Sequence, residues 1–112
     1  MLTNAEWVAA ATGTPDPDTD NGTTDCNTGS PGTPTNQPGN TGSRSSCVST
    51  AGIFDGVGNV WEWTRESFSP FGGPQAWFHG GAWSYGTLAG VGVAYQDDPL
   101  LQFYVIGFRC AR

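Results

Sequence analysis

A chain of 112 residues with net charge −6, no lysine, and four arginines against ten acids cannot neutralise a phosphate backbone or hold to an anionic membrane surface. Its 17 glycines, 8 prolines and 12% charged residues predict one loop-rich domain with short β-elements, in which five tryptophans and six phenylalanines supply much of the core. No apolar run approaches the roughly 20 residues of a membrane span, so no membrane insertion is expected.

Met1 to Trp7 has neither the basic nor the apolar region of a signal peptide. Residues 2–11 read as one short helix. Thr3 or Asn4 can cap it, Ala5 to Ala11 favour helix, and Trp7 with Ala10 and Ala11 forms an apolar stripe. Gly13 and Pro15 stop it. Residues 12–50 form a long irregular loop in which Val48 is the only large apolar side chain. Its acids Asp16, Asp18, Asp20 and Asp25 are spaced like the start of an EF-hand. However, Asn21 stands where that loop needs glycine, Asn27 where it needs glutamate, and Pro17 interrupts it. A solvated turn is the expectation.

Cys26 and Cys47 flank this loop, and a disulfide between them would close it. The alternative leaves all three cysteines free. Cys110, beside Phe108, is the odd thiol and is expected to be buried. With no CxxC and a single histidine, His79, the chain offers no zinc site.

Residues 51–112 carry the core. Val57–Trp63 and Ile106–Cys110 predict strands, and Trp77–Trp83 a third, bent at Gly80-Gly81. Gly58 permits an unusual backbone or close packing, and Arg109 can pair with Glu62. From Trp83 to Ile106 the pattern breaks into glycine turns and unpatterned large side chains. The run Leu100 to Ile106 fits either a buried strand or an exposed loop.

Three ordered motifs then stand out: Asp55-Gly56-Val57-Gly58-Asn59-Val60-Trp61-Glu62-Trp63, His79-Gly80-Gly81-Ala82-Trp83, and Ile106-Gly107-Phe108-Arg109-Cys110-Ala111. They resemble the GNVWEW, GGSW and GFRCA signatures of formylglycine-generating-enzyme-like domains, and Leu2 to Trp7 resembles the helix upstream of them. The resemblance implies an α+β, loop-rich, C-type lectin-like fold with short irregular strands and one or two short helices. It would be a single domain over residues 1–112: helix 2–11, loop 12–50, scaffold strands 51–83, a variable binding region 84–105 and a final strand 106–112. The N-terminal part of a full-length family domain has no counterpart, which implies a minimal version or a fragment.

Enzymes of that family hold copper on two cysteines just after the GGS-aromatic motif, since soft Cu(I) requires thiolates. Here that stretch is Ser84-Tyr85-Gly86-Thr87-Leu88-Ala89-Gly90, without cysteine. Neither a histidine-rich iron site nor a G-x-S-x-G elbow is present. The expectation is no enzyme and no required cofactor.

The same stretch is similar to variable proteins of diversity-generating retroelements, in which adenine-directed mutagenesis rewrites codons near the end of a lectin-type domain. Trp83, Gly86, Ala89, Gly90, Pro99 and Ile106 to Cys110 match the fixed letters of that pattern. Between them, Ser84, Tyr85, Leu88, Asp97, Leu101, Phe103, Tyr104 and Val105 can each arise from an AAC codon by changing adenines alone. The resemblance implies a receptor- or tropism-type binder on a virion or cell surface, with an unidentified protein or glycan ligand. Its contact residues would be Ser84, Tyr85, Leu88, Val91, Tyr95, Gln96, Leu100, Leu101, Gln102, Phe103, Tyr104 and Val105. Two alternatives stay open: an enzyme of the formylglycine-generating type, and a structural domain of a surface or virion protein. The family's structural calcium would fall on the carboxylates of Asp55 and Glu62 and the carbonyls of Gly58 and Val60. A Glu62–Arg109 pair without an ion is the competing expectation.

Overall fold

The Thr3 hydroxyl accepts the Glu6 N–H at 3.1 Å, while the Glu6 carboxylate accepts the Thr3 N–H at 2.8 Å. This reciprocal capping box starts helix α1 (Asn4–Ala11), so Thr3 is the cap and the helix begins later than residue 2. Leu2, just outside the cap, packs with Trp7 and Ala11, which fixes the angle at which the chain enters the helix.

The computed structural model describes residues 1–15, 20–29, 36–69 and 73–110. Its architecture is α+β and loop-rich: one helix and a four-stranded mixed sheet. The strands are β1 (Trp61–Phe68), β2 (Gln75–Gly80), β3 (Gly90–Asp97) and β4 (Ile106–Phe108), in spatial order β3-β2-β1-β4. β1 runs parallel to β4, and the other pairs are antiparallel. A short 3-10 turn, Gly86–Leu88, precedes β3.

Three expected boundaries shift, and one strand was not expected. β1 starts at Trp61, not Val57, because Gly58 and Asn59 are left-handed, with φ 71° and 61°. The chain is pinned there by the Asn59 N–H donating to the Asn27 carbonyl at 2.7 Å. A Cβ on Gly58 would sit 2.3 Å from that same carbonyl oxygen, so close approach is what the glycine allows. β2 ends at Gly80 rather than Trp83. Gly81 lets the chain turn back so tightly that a Cβ there would lie 2.6 Å from the Cα of Ala89. β4 stops at Phe108, short of Cys110. β3 falls where only turns were expected; it pairs with β2 and forms one edge of the sheet.

The Cys26–Cys47 disulfide is present. Both sulfurs are buried with Val57 and Ala89, so the bridge also forms a small core of its own. Cys110 is a free thiol but exposed, contrary to expectation, because the chain has left the sheet before reaching it. Asp20 is a second correction, being fully buried rather than solvated. It pairs with Arg44 at 3.0 Å and accepts the N–H groups of Gly22, Thr28 and Gly29 at 2.8, 3.2 and 3.2 Å. A buried carboxylate survives only with such partners, and Arg44 is too distant in sequence for local spacing to reveal it. Asp25 is half-buried and accepts the Asn21 N–H, while Asp16, Pro17 and Asp18 lie outside the described residues.

Cross-strand pairing sorts the sheet into two faces. Glu62 pairs with His79, and His79 with Ala94, on one face; Trp63 pairs with Phe78, and Phe78 with Tyr95, on the other. α1 covers the first face. Trp7 stacks on His79 with ring centres 4.8 Å apart and donates its indole N–H to Glu62 at 2.6 Å. His79 Nε2 donates to Asn4 Oδ1 at 2.9 Å, and burial holds this histidine below its ordinary pKa, favouring the neutral ring. His79 therefore serves to dock the helix.

Candidate ligand-binding surface

The second face is aromatic. Trp61 lies at its centre, buried, and meets Phe78, Tyr85 and Tyr95 edge-on at 5.0, 4.9 and 5.3 Å. Phe78 also meets Trp63 edge-on at 5.0 Å, while Ala82 and Val105 complete this cluster. These ring geometries set edge against π-face, which favours a rigid platform.

Two irregular segments cross the platform. The first, from Gly81 to Ala89, presents Ser84, Tyr85 and Leu88 to solvent. The second, from Asp98 to Val105, is anchored at both ends. The Asp98 carboxylate accepts the Leu100 N–H at 2.8 Å, and the Val105 carbonyl accepts the Trp61 N–H at 2.7 Å. Between these anchors Leu100, Gln102, Phe103 and Tyr104 are exposed, and the Phe103 and Tyr104 rings stack 5.5 Å apart. A cleft of about 240 Å³ opens between the two segments, lined by Phe78, Tyr85, Asp97, Leu101, Phe103, Val105 and Ile106. A neighbouring cleft of about 270 Å³ is lined by Met1, Trp63, Arg65 and Pro99, among others.

The structure therefore brings Tyr85, Tyr95, Leu101 and Phe103 together around one cleft or its rim. Ser84, Leu88, Leu100, Gln102 and Tyr104 are exposed on the segments that frame it. Three other expected contact residues are placed differently. Val105 is buried against Trp61 and Phe78, so it is part of the platform. Val91 is half-buried between the Cys26–Cys47 cluster and the Leu2–Trp7 cluster. Gln96 pairs with Trp77 and so faces away from Tyr95, on the helix side of the sheet. Of the two expectations for Leu100 to Ile106, the exposed loop holds up to Tyr104, and the strand begins only at Ile106.

Phe78, Asp97 and Ile106 line the cleft without having been expected to do so. The signal was present for Asp97: Val91, Val93, Tyr95 and Asp97 alternate along one strand, but Gly90 and Gly92 suggested turns.

At the edge of the helix-covered face, Arg109 donates from Nε and Nη2 to the two carboxylate oxygens of Glu62, one of which also receives the Trp7 indole. Arg109 Nη2 reaches the Phe54 carbonyl as well, at 3.1 Å. Asp55 sits nearby in a left-handed turn (φ 59°) and accepts the Gly42 N–H at 2.8 Å. Burial raises its pKa above the ordinary carboxylate value, against the lowering by the Gly42 bond and by Arg109.

The family model of the sulfatase-modifying factor enzyme 1-like domain matches residues 1–112. The chain belongs to this family. No curated protein and no solved structure matches it. Within the family framework, the three motifs occupy defined places: Trp61 to Trp63 open β1, His79 and Gly80 close β2, and Ile106 to Phe108 are β4.

Of the two expectations for Glu62, a calcium ligand or a partner of Arg109, the structure shows the pair with Arg109. Both Glu62 oxygens receive N–H donors from Arg109 or Trp7, and the Asp55 carboxylate accepts the Gly42 N–H. Among the described residues no group of three or more His, Cys, Asp or Glu side chains could hold a metal. Thermal unfolding in EDTA and in millimolar calcium should give the same midpoint. A specific site would instead add about 2.7 kcal/mol at a hundredfold excess over its dissociation constant.

Proposed function

We propose that this family member is a non-catalytic binding domain. It displays Ser84, Tyr85, Leu88, Tyr95 and the Leu100–Tyr104 segment from a C-type lectin-like scaffold to a protein ligand, as variable proteins of diversity-generating retroelements do. One observation carries the reading. Of the large apolar side chains of residues 84–104 that are exposed, Tyr85 and Phe103 line one cleft, while Leu88, Leu100 and Tyr104 stand on the two irregular segments that frame it. Soluble domains seldom expose such a group unless it meets a partner. Tyr and Phe supply contact area at low entropic cost, as in antibody paratopes.

The division of labour supports the same reading. Fixed motif residues, Trp61, Gly81 and Ile106 among them, build the platform, whereas the residues derivable from adenine-rich codons lie mostly above it. A surface open to change must contribute little to the core, or most variants would unfold. The test is at the nucleotide level. A near-identical repeat of the segment encoding residues 84–105, differing at adenines and lying beside a reverse-transcriptase gene, is expected. A gene neighbourhood with a reverse transcriptase absent and no such repeat would contradict the proposal.

Family membership favours a second reading, an oxidase acting on sulfatase-type peptides. The segment Ser84–Gly90 carries no thiolate to hold copper. Purified protein supplied with Cu(I) should therefore leave the cysteine of a sulfatase-type peptide unoxidised. Turnover above a metal-free control would restore the enzyme reading.

A further inference from the structure

We infer that the cleft between Phe78, Tyr85, Asp97 and Phe103 receives one arginine side chain from a protein partner. The inference rests on the binding-surface reading and names the chemistry of its anchor point.

Size is the first argument. At about 240 Å³ the cleft falls below the range of roughly 300–1,000 Å³ typical of small-molecule sites, so it suits a single inserted side chain. Its lining supplies the second. Three aromatic rings share it with one carboxylate and no cationic residue. The strand alternation that turns Tyr95 toward this face turns Asp97 the same way. Asp97 Oδ1 accepts the Asp98 N–H at 2.8 Å, which holds the carboxylate in place at the end of β3.

A cation fits such a lining, because aromatic faces and a carboxylate both attract positive charge. Guanidinium suits it better than ammonium: it is planar, stacks on rings, is weakly hydrated and can meet a carboxylate through two N–H groups. The neighbouring 270 Å³ cleft carries Arg65 and so has the wrong charge for this guest. The net charge of −6, with no lysine anywhere, steers a basic partner toward the molecule.

The test is a titration of the isotope-labelled full chain, followed by NMR at low salt, with three blocked amino acids. N-acetyl-arginine amide is the probe, N-acetyl-citrulline amide its neutral isostere, and N-acetyl-leucine amide the apolar control. The arginine compound should saturably shift signals of Phe78, Tyr85, Asp97 and Phe103, with citrulline binding about tenfold more weakly. Asp97→Asn should reduce arginine binding to the citrulline level while leaving the melting temperature unchanged. Citrulline or leucine binding as tightly as arginine would overturn the cationic guest and leave the binding surface standing. No shift at the cleft with any probe would overturn the inference also. The broader reading would still be decided separately, by the adenine-biased repeat.

Discussion

Replacing Arg109 with Met is expected to lower the unfolding free energy by about 3 kcal/mol, because it strands the Glu62 carboxylate in a buried site. Removing one partner of a buried ion pair ordinarily costs about 3–5 kcal/mol. The lower end applies here, since the Arg109 side chain is 21% exposed and water can partly replace it, whereas Glu62 is only 9% exposed. The Trp7 indole would remain as a donor to Glu62, which also limits the loss. Adding Glu62→Gln to the Arg109→Met background should recover part of the stability, because the stranded charge is then gone. Urea unfolding of the two single variants and the double variant measures the coupling directly. A loss below about 1 kcal/mol for Arg109→Met would mean that the pair behaves as an exposed bridge. Arg109 would then contribute little to holding the end of β4 against β1.

Trp61→Ala should be at least as damaging, at about 3–5 kcal/mol and roughly 12 °C or more in melting temperature. Trp61 is 1% exposed, and its ring supports Phe78, Tyr85 and Tyr95 at once, so the cavity cannot close without moving the platform. The upper end of the range is expected, since each edge-on ring pair adds about 0.5–1.5 kcal/mol beyond burial. Trp61→Phe keeps an aromatic ring and should lose less than half as much. Thermal unfolding followed by circular dichroism tests both. Equal losses for Ala and Phe would contradict this account, since Phe fills most of the tryptophan volume and keeps an aromatic ring for the edge-on contacts.

Local chemistry was legible in the sequence, and long-range compensation was not. Thr3 was one of two expected helix caps, and the structure uses it, with Glu6 completing the capping box. Trp61, Glu62 and Trp63 announce a two-faced strand, although Gly58 and Asn59 delay its beginning by adopting a left-handed conformation. β3 was hidden because Gly90 and Gly92 resemble turn residues, while Val91, Val93 and Tyr95 held the alternation that marks a strand. Asp20 looked like one acid in a solvated cluster. Its burial depends on Arg44, whose position no periodicity predicts. The Glu62–Arg109 pair spans a still longer separation and was anticipated only because each residue sits in a motif. Leu88, Leu100, Phe103 and Tyr104 are exposed, as the loop reading of their segments expected. Val91 and Gln96 are placed elsewhere, because strand register and the irregularity near Gly80 decide which face a side chain takes, while Val105 is buried in the floor of the cleft beside Trp61 and Phe78.

The central claim is that the displayed residues are dispensable for folding, and thermal unfolding of one combined variant tests it most directly. Leu88, Leu100, Phe103 and Tyr104 are 61%, 83%, 54% and 73% exposed. Changing all four to Ser should remove less than about 2 kcal/mol in total, since each exposed substitution stays within about 0.5 kcal/mol. The midpoint should therefore stay far closer to that of the parent than to that of Trp61→Ala. A loss matching or exceeding the Trp61→Ala loss would show that these side chains are part of the core, contradicting the display-surface account.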